Sequence, residues 1–375
     1  MTTETKTEMQ LRCDRKVLVK ALDAIGKFAT KRSAMPVTEC VKIEAGEGLR
    51  LTGTNLDHWC VMDIPPLEGK RGIVDVEVPG SSVVSCSMLR DVLSSFDGEI
   101  VSLSMEGLTL TVVCDRQRAG FSTYDVDDYP PMPRVDAVTC QLAAEKLRAG
   151  LGRAVIAAAK QDTRPVLHGV AFQFSEDGLR LVGADGFRLA VVKVDAEVSE
   201  GSYVVPRAAA VLIERLLSSD GTVQVGFSDS HILVRQGRMQ MISRLVEGAY
   251  PNWWQLFSSE EQMKVVFKRK EALAALRSVQ AVKREGATVL NFTEDRLVIS
   301  GKSMELGDVV GEVDARVEGG ALRIGIDGGY LSEGLKAINA DMVECRLTGA
   351  TAPAVFTAEG CDEFTYLVMP MALSS

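Results

Sequence analysis

One pattern recurs three times along this chain, and it fixes the fold class before composition enters the argument. Met9-Gln-Leu-Arg-Cys13, Thr139-Cys-Gln-Leu142 and Lys264-Val-Val-Phe-Lys268 each read as a short strand, the first two alternating apolar with polar residues and the third an apolar run between lysines. An amphipathic helix is expected after each: Arg15 to about Phe28, Ala144 to about Lys160, and Lys270 to about Val282. A hairpin follows in every copy. Gly48-Leu-Arg-Leu-Thr-Gly53 in the first matches Gly178-Leu-Arg-Leu-Val-Gly183 in the second, with Arg296-Leu-Val-Ile-Ser-Gly301 as the third version. Second helices are expected near Met88–Phe96, Ala208–Leu217 and Tyr330–Ile338. Leu93-Ser-Ser-Phe-Asp-Gly98 and Leu217-Ser-Ser-Asp-Gly221 read as glycine stops for the first two.

The openings lie about 130 and 125 residues apart, too far for a short-period solenoid. The reading is α+β: three repeated domains, each of two helices and about eight strands. Generic strand–helix order alone could produce three look-alike domains, but the shared phrases favour true repetition. Breaks carrying proline or charge at Pro130–Arg134 and at 258–262 set the expected domains at 1–134, with residues 1–8 as a tail, 135–260 and 261–375.

Net charge is −9, which by itself argues against a nucleic-acid partner. The average hides a sorting. Residues 12–32, 138–164 and 264–284, which hold the three opening helices, carry 19 basic and 5 acidic groups, a balance of +14; the remaining 306 residues carry −23. Lys16, Lys20 and Lys27 share a face opposite Leu18, Leu22 and Ile25. Lys146, Arg153 and Lys160 recur every seven residues beside Leu147, Leu151, Ala154 and Ala158, and Lys270 shares a face with Arg277. A solvated face is the ordinary reading of any one such helix. Three equivalent ones in an acidic chain suit sequence-independent contact with phosphates. Basic and aromatic residues do not interleave as in single-strand binders, so duplex backbone is the expected partner.

Positive signs of catalysis are missing. The three histidines, His58, His168 and His231, are scattered, and no zinc spacing, GxxxxGK[ST], GxGxxG or GxSxG motif occurs. The acids Asp125, Asp127 and Asp128 read as a solvated loop rather than a magnesium site, so no metal and no cofactor is expected. Eight cysteines without a CxxC pair read as reduced, mostly buried thiols of a cytoplasmic protein. No run approaches the roughly 18–20 apolar residues of a membrane span, and the polar start has no secretory signature.

Ala184-Asp-Gly-Phe-Arg-Leu-Ala190 and Tyr366-Leu-Val-Met-Pro-Met371 are the most specific phrases in the chain. With Gln161-Asp-Thr-Arg164, Leu167-His-Gly169 and Leu245-Val-Glu-Gly-Ala-Tyr-Pro251, in this order, the sequence resembles the family of bacterial sliding clamps, the beta subunits of DNA polymerase III. The resemblance runs from about Met9 to Leu373. It implies a non-catalytic, nucleoid-associated, head-to-tail homodimer whose domains close a ring, with helices lining a central hole around duplex DNA. It also implies a clamp loader as partner, and a groove where the polymerase III catalytic subunit, other polymerases and repair proteins dock short peptides.

By match, that groove holds Leu167, Ala184, Gly186, Phe187, Arg188, Leu189, Pro251, Leu256, Tyr330, Leu367, Val368, Met369, Pro370 and Met371. Arg32 and Gln161 match DNA-contact positions. Lys20, Lys27, Arg153, Lys160, Arg164 and Arg277 join them on charge. By the resemblance, Phe187 stands where the family often has His, Gln255 where it can have a basic residue, and Ala372-Leu-Ser-Ser375 extends the usual ending. Gln280 and Ala281, with Ala119 opposite, are small or polar where larger apolar residues often help close the dimer. Three alternatives stay open: a specialised second clamp, an open nucleic-acid adaptor of the same domains, and a metal enzyme using Asp185 or Asp125.

Overall fold

The computed structural model describes residues 8–29, 34–68, 71–136, 138–161, 164–196, 200–257, 262–282, 286–303 and 307–373. They form two compact units, residues 1–144 with 215–245, and residues 145–214 with 246–375. The expected elements are present, with three repeats of sheet and paired helices. The boundary between units, however, runs through the second repeat, because its strands join the sheets of both neighbours.

In the first unit a five-stranded antiparallel sheet runs Gln117–Ser122, Thr109–Cys114, Ile100–Glu106, Met9–Asp14, Val74–Val78. An eight-stranded sheet joins Cys140–Ala143, Thr222–Phe227, His231–Gln236 and Met239–Arg244 of the second repeat to His58–Ile64, Leu49–Thr54, Cys40–Ala45 and Gly80–Ser85 of the first. The seam is antiparallel, with Cys60 opposite Met241. Helix α1 (Arg15–Ile25) starts where Asp14 accepts a hydrogen bond from the Val17 amide (3.1 Å), and it buries Leu18, Ala21, Leu22 and Ile25. Helix α2 (Cys86–Ser95) touches it through Cys86 Sγ and the Leu22 carbonyl (3.8 Å).

In the second unit thirteen strands form one continuous ladder. Gly201–Pro206, Gly169–Ser175, Gly178–Ala184 and Arg188–Val194 lead into Cys361–Val368, Ala354–Ala358, Met342–Leu347 and Met263–Lys268. The long strand Gly307–Glu318 then carries the ladder into Arg296–Ser303, Ala287–Phe292, Leu322–Asp327 and Pro370–Met371. Leu189 opposite Leu367 marks the seam between repeats. Helices α3 (Ala144–Ala154), α4 (Arg207–Leu216), α5 (Arg269–Val282) and α6 (Gly328–Ala337) complete the set. The packing of α6 is close: a Cβ at Gly334 would overlap the Tyr366 ring.

Three local expectations need correction. Helix α1 ends at Ile25 rather than near Phe28: past Gly26 the amides of Lys27 and Phe28 donate to the carbonyls of Ala24 and Ile25 (3.3 and 2.9 Å), three residues back, so the chain tightens out of the α-helix. Helix α3 ends at Ala154 rather than Lys160, where the backbone of Gly183 presses against the Ala154 carbonyl and β-branched residues follow. The glycine stops are also misplaced. Helix α2 closes on extended Phe96 (φ −81°, ψ 146°), and Gly98 instead gives room for Cys114 and Asp115. Gly221 does adopt a left-handed φ of 78°, but it lies beyond the end of α4 at Leu216.

Candidate partner groove and basic helix faces

The groove residues belong to the second unit, and the seam between its repeats brings most of them together. Ala171, Val182, Leu189, Val191 and Leu367 form a buried floor, with Ala184, Tyr250, Trp253, Phe257, Val355 and Met369 partly buried against it. The turn before Leu189 is fixed by Asp185, whose Oδ1 accepts from the amides of Phe187 (2.9 Å) and Arg188 (3.0 Å). Gly186 supplies the left-handed φ of 91° that this turn requires. Phe187 is thereby held outward, 63% exposed, and its carbonyl accepts from the Met369 amide (2.8 Å). Beyond it, Pro370 and Met371 pair with Ile326 and Gly325, so the C-terminal segment is built into the sheet.

Arg188 organises the wall. It is 4% exposed, and its Nε donates to Asp185 Oδ2 (2.9 Å) and its Nη1 to Glu333 Oε2 (2.5 Å) and Tyr366 Oη (3.4 Å). Its guanidinium lies 4.1 Å from the Tyr330 ring centroid. Burial raises the pKa of Tyr366 against the opposing charge of Arg188, so its hydroxyl stays protonated and donates to the Tyr330 carbonyl (3.0 Å). Burial likewise raises Tyr250 and Tyr330.

The fourteen matched positions therefore divide. Leu167, Leu189, Leu367 and Val368 are core, 5% exposed or less, and can serve only as floor. Gly186, Phe187, Pro251, Leu256 and Met371 are exposed, while Ala184, Tyr330, Met369 and Pro370 are half-buried rim. Leu256 faces a second cleft that it shares with Phe257, Arg346 and Val355. Sequence reasoning missed Tyr250, Trp253, Phe257, Val355, Glu333 and Tyr366. The aromatic run Trp253-Trp254 was a visible signal: Trp253 meets Trp254 and Phe257 edge-on at 5.5 and 5.9 Å, and its Nε1 donates to Gln173 (2.9 Å).

The basic residues fare unevenly. In the first unit Lys16, Lys20 and Lys27 are exposed; Arg32 lies outside the described residues. In the second unit Lys160, Gln161, Arg164, Lys270 and Arg277 are exposed. Arg153 is not a free cation. Its Nη1 lies 3.4 Å from Glu363 Oε1, and its guanidinium sits 5.8 Å from the Phe364 ring centroid. Among the described residues no cluster of three or more His, Cys, Asp or Glu could hold a metal ion. His58 is buried, with Nδ1 2.9 Å from Ser243 Oγ.

Comparison with known proteins covers nearly the whole chain. Models of the DNA polymerase III beta subunit match its N-terminal domain at residues 9–133, its central domain at 141–252 and its C-terminal domain at 254–372. The beta sliding clamp of Staphylococcus aureus is 30% identical, over 97% of this chain and 99% of the relative. The Pseudomonas aeruginosa sliding clamp bound to griselimycin superposes with a TM-score of 0.91 at 28% identity, covering 98% of this chain and all of that one. The Bacillus subtilis clamp shares the fold with a TM-score of 0.95 at 23% identity, over 98% of this chain and 100% of that one.

Proposed function

The chain belongs to the DNA polymerase III beta subunit family, and from that premise we propose that it is a sliding clamp without chemistry of its own. Two copies associate head to tail, domain one of each meeting domain three of the other, into a ring of six domains that encircles duplex DNA. The proposed domains span 1–134, 135–260 and 261–375. The observation that carries the reading is the sorting of charge: exposed Lys16, Lys20, Lys270 and Arg277 on opening helices, with Lys27 just past the end of α1, in a chain that is acidic elsewhere. Such contacts neutralise phosphates without reading bases, and a closed ring needs no tight grip to stay on its track. DNA contacts are assigned to Lys20, Lys27, Arg32, Lys160, Gln161, Arg164 and Arg277.

The groove around Leu189, Leu367 and Met369 receives short peptides with apolar anchors, from the polymerase III catalytic subunit, other polymerases, repair proteins and the clamp loader. Met369 suits a shared site because its side chain adapts its shape to different anchors. Loading onto DNA falls to a separate ATP-driven loader, and the working compartment is the cytoplasm. No helix among the described residues is long and apolar enough to cross a membrane.

Retention on a circle tests the proposal. Protein loaded onto closed circular duplex DNA should survive a high-salt wash and leave once the circle is cut. Loss of the protein from the intact circle at high salt would refute encirclement, and a one-chain mass at micromolar concentration would refute the ring.

A further inference from the structure

The three opening helices are equivalent in sequence but not in charge. Lys16 and Lys20 on α1, and Lys27 just past its end, make no ion pair with a described carboxylate, and neither do Lys270 and Arg277 on α5. Helix α3 differs. Its Lys146 Nζ lies 2.6 Å from Asp195 Oδ2, and its Arg153 reaches Glu363 at 3.4 Å. Beside them Lys193 Nζ lies 2.5 Å from Asp362 Oδ2. All six side chains line one open cleft of about 730 Å³, bounded by α3, the end of the strand Arg188–Val194 and the start of the strand Cys361–Val368. The hydrogen bond from Lys146 holds Asp195 below the usual carboxylate range, as that from Lys193 does Asp362, so both are anionic at neutral pH.

We infer that Asp195, Asp362 and Glu363 are built-in counter-anions that withhold Lys146, Lys193 and Arg153 from DNA phosphates and so loosen the grip of the second repeat. The inference rests on the clamp reading, which turns the opening helices toward DNA. A cation paired with a carboxylate presents no net charge, so it adds nothing to the number of phosphates the protein neutralises. A phosphate that displaced the carboxylate would leave two anions side by side. Exposed pairs of this kind add little to folding. Their effect falls instead on DNA, where every neutralised phosphate steepens the salt dependence of binding. A ring that must slide gains from a repeat in which part of the basic charge is already satisfied, while Arg148, Lys160 and Arg164 stay exposed.

The test is full-length protein binding to a labelled linear duplex across a salt series. The variant D195N/D362N/E363Q should bind at least tenfold tighter at low salt. Its log–log salt slope should steepen by about 0.9 for each cation released. D195N alone alters a carboxylate whose side chain is 92% exposed, cannot unfold the junction, and should show one such step. Adding R153A and K146A to the triple variant should remove most of the gain. An unchanged slope in both D195N and the triple variant overturns the inference. So does an equal gain from E247Q/D308N/E318Q, three exposed carboxylates outside the cleft, because bulk charge would then suffice. K20E/R277E in the parent separates the two readings. If it weakens binding while the triple variant does nothing, the inference fails alone; if it too has no effect, the clamp reading fails with it.

Discussion

Gly334→Ala decides whether the groove wall depends on the close fit of α6 against Tyr366. Glycine inside a helix costs about 1 kcal/mol relative to alanine, so an exposed Gly334 would be stabilised by the change. Here the new Cβ would fall well inside 3.0 Å of ring atoms of Tyr366. That ring cannot swing aside, because it is fully buried and its hydroxyl is tied to the Tyr330 carbonyl and Arg188. Overpacking of this kind costs about 1–3 kcal/mol, and a rigid, tethered obstacle puts this site at the upper end. The net loss is then about 2 kcal/mol, or roughly 4–8 °C in melting temperature for a unit of this size. Because Tyr366 also supports Arg188, a fluorescence-polarisation titration with an apolar-anchored peptide should show about tenfold weaker binding, near 1.4 kcal/mol. Gly320→Ala, where a Cβ meets open space, is the control and should change neither quantity. A raised melting temperature in Gly334→Ala, with peptide affinity intact, would refute the reasoning.

Lys20→Glu with Arg277→Glu should shorten retention on circular DNA in a salt-dependent way without lowering the melting temperature, whereas Arg153→Gln with Glu363→Gln should change retention little because the pair carries no net charge. Deleting residues 369–375 removes the Met369 amide bond to Phe187 and the Pro370–Met371 pairing; peptide binding should vanish while the dimer mass in sedimentation is unchanged. His58 and His231 have pKa values lowered from 6.5, first by burial, so the unfolded chain binds their protons more readily. Stability should hold above pH 7 and fall as pH drops below about 6.5, and His58→Asn should flatten that fall in denaturant titrations. Cys361 is exposed and the other seven cysteines are buried, with burial pushing Cys13, Cys60 and Cys86 up to about 12. A thiol reagent should therefore label one cysteine per native chain quickly, and all eight only after denaturation.

What the sequence reveals of this fold is what depends on neighbours along the chain. The start of α1 is legible because Asp14 can cap only the residues just ahead of it, and its core face because Leu18, Leu22 and Ile25 recur at helical spacing. The seams are not legible. Pairing of Met239–Arg244 with His58–Ile64, or of Arg188–Val194 with Cys361–Val368, is made by backbone groups that every residue carries. Nothing local marks which edges meet. The partner of Arg153 is hidden for the same reason: helical spacing puts it on a basic face, but Glu363 arrives from 210 residues away. Resemblance located Arg188 in the groove, yet its partners Glu333 and Tyr366 come from a helix and a strand of the next repeat.

The two seams also explain why one groove per chain is the natural number. Asn55 and Asp185 stand at equivalent turns, each accepting from the amides two and three residues ahead. Each turn passes through a left-handed residue, Leu56 at φ 75° and Gly186 at φ 91°. A side chain there costs about 1–2 kcal/mol of strain, which the first seam tolerates. Three residues after each left-handed position the seams diverge. Trp59 enters the first floor and, 4% exposed, fills it against Val135, Leu233 and Ile242, with Met132 partly buried over them. In the second floor the corresponding Leu189 is smaller, and Tyr250, Trp253, Phe257 and Met369 line its margin only partly buried. The preceding residue differs in the same sense: His58 is satisfied by a single hydroxyl, whereas Arg188 needs carboxylates that draw in α6 as a wall. An indole already occupies at the first seam the volume that a partner's apolar anchor would take at the second. A titration should therefore saturate at one peptide per chain, and two per ring.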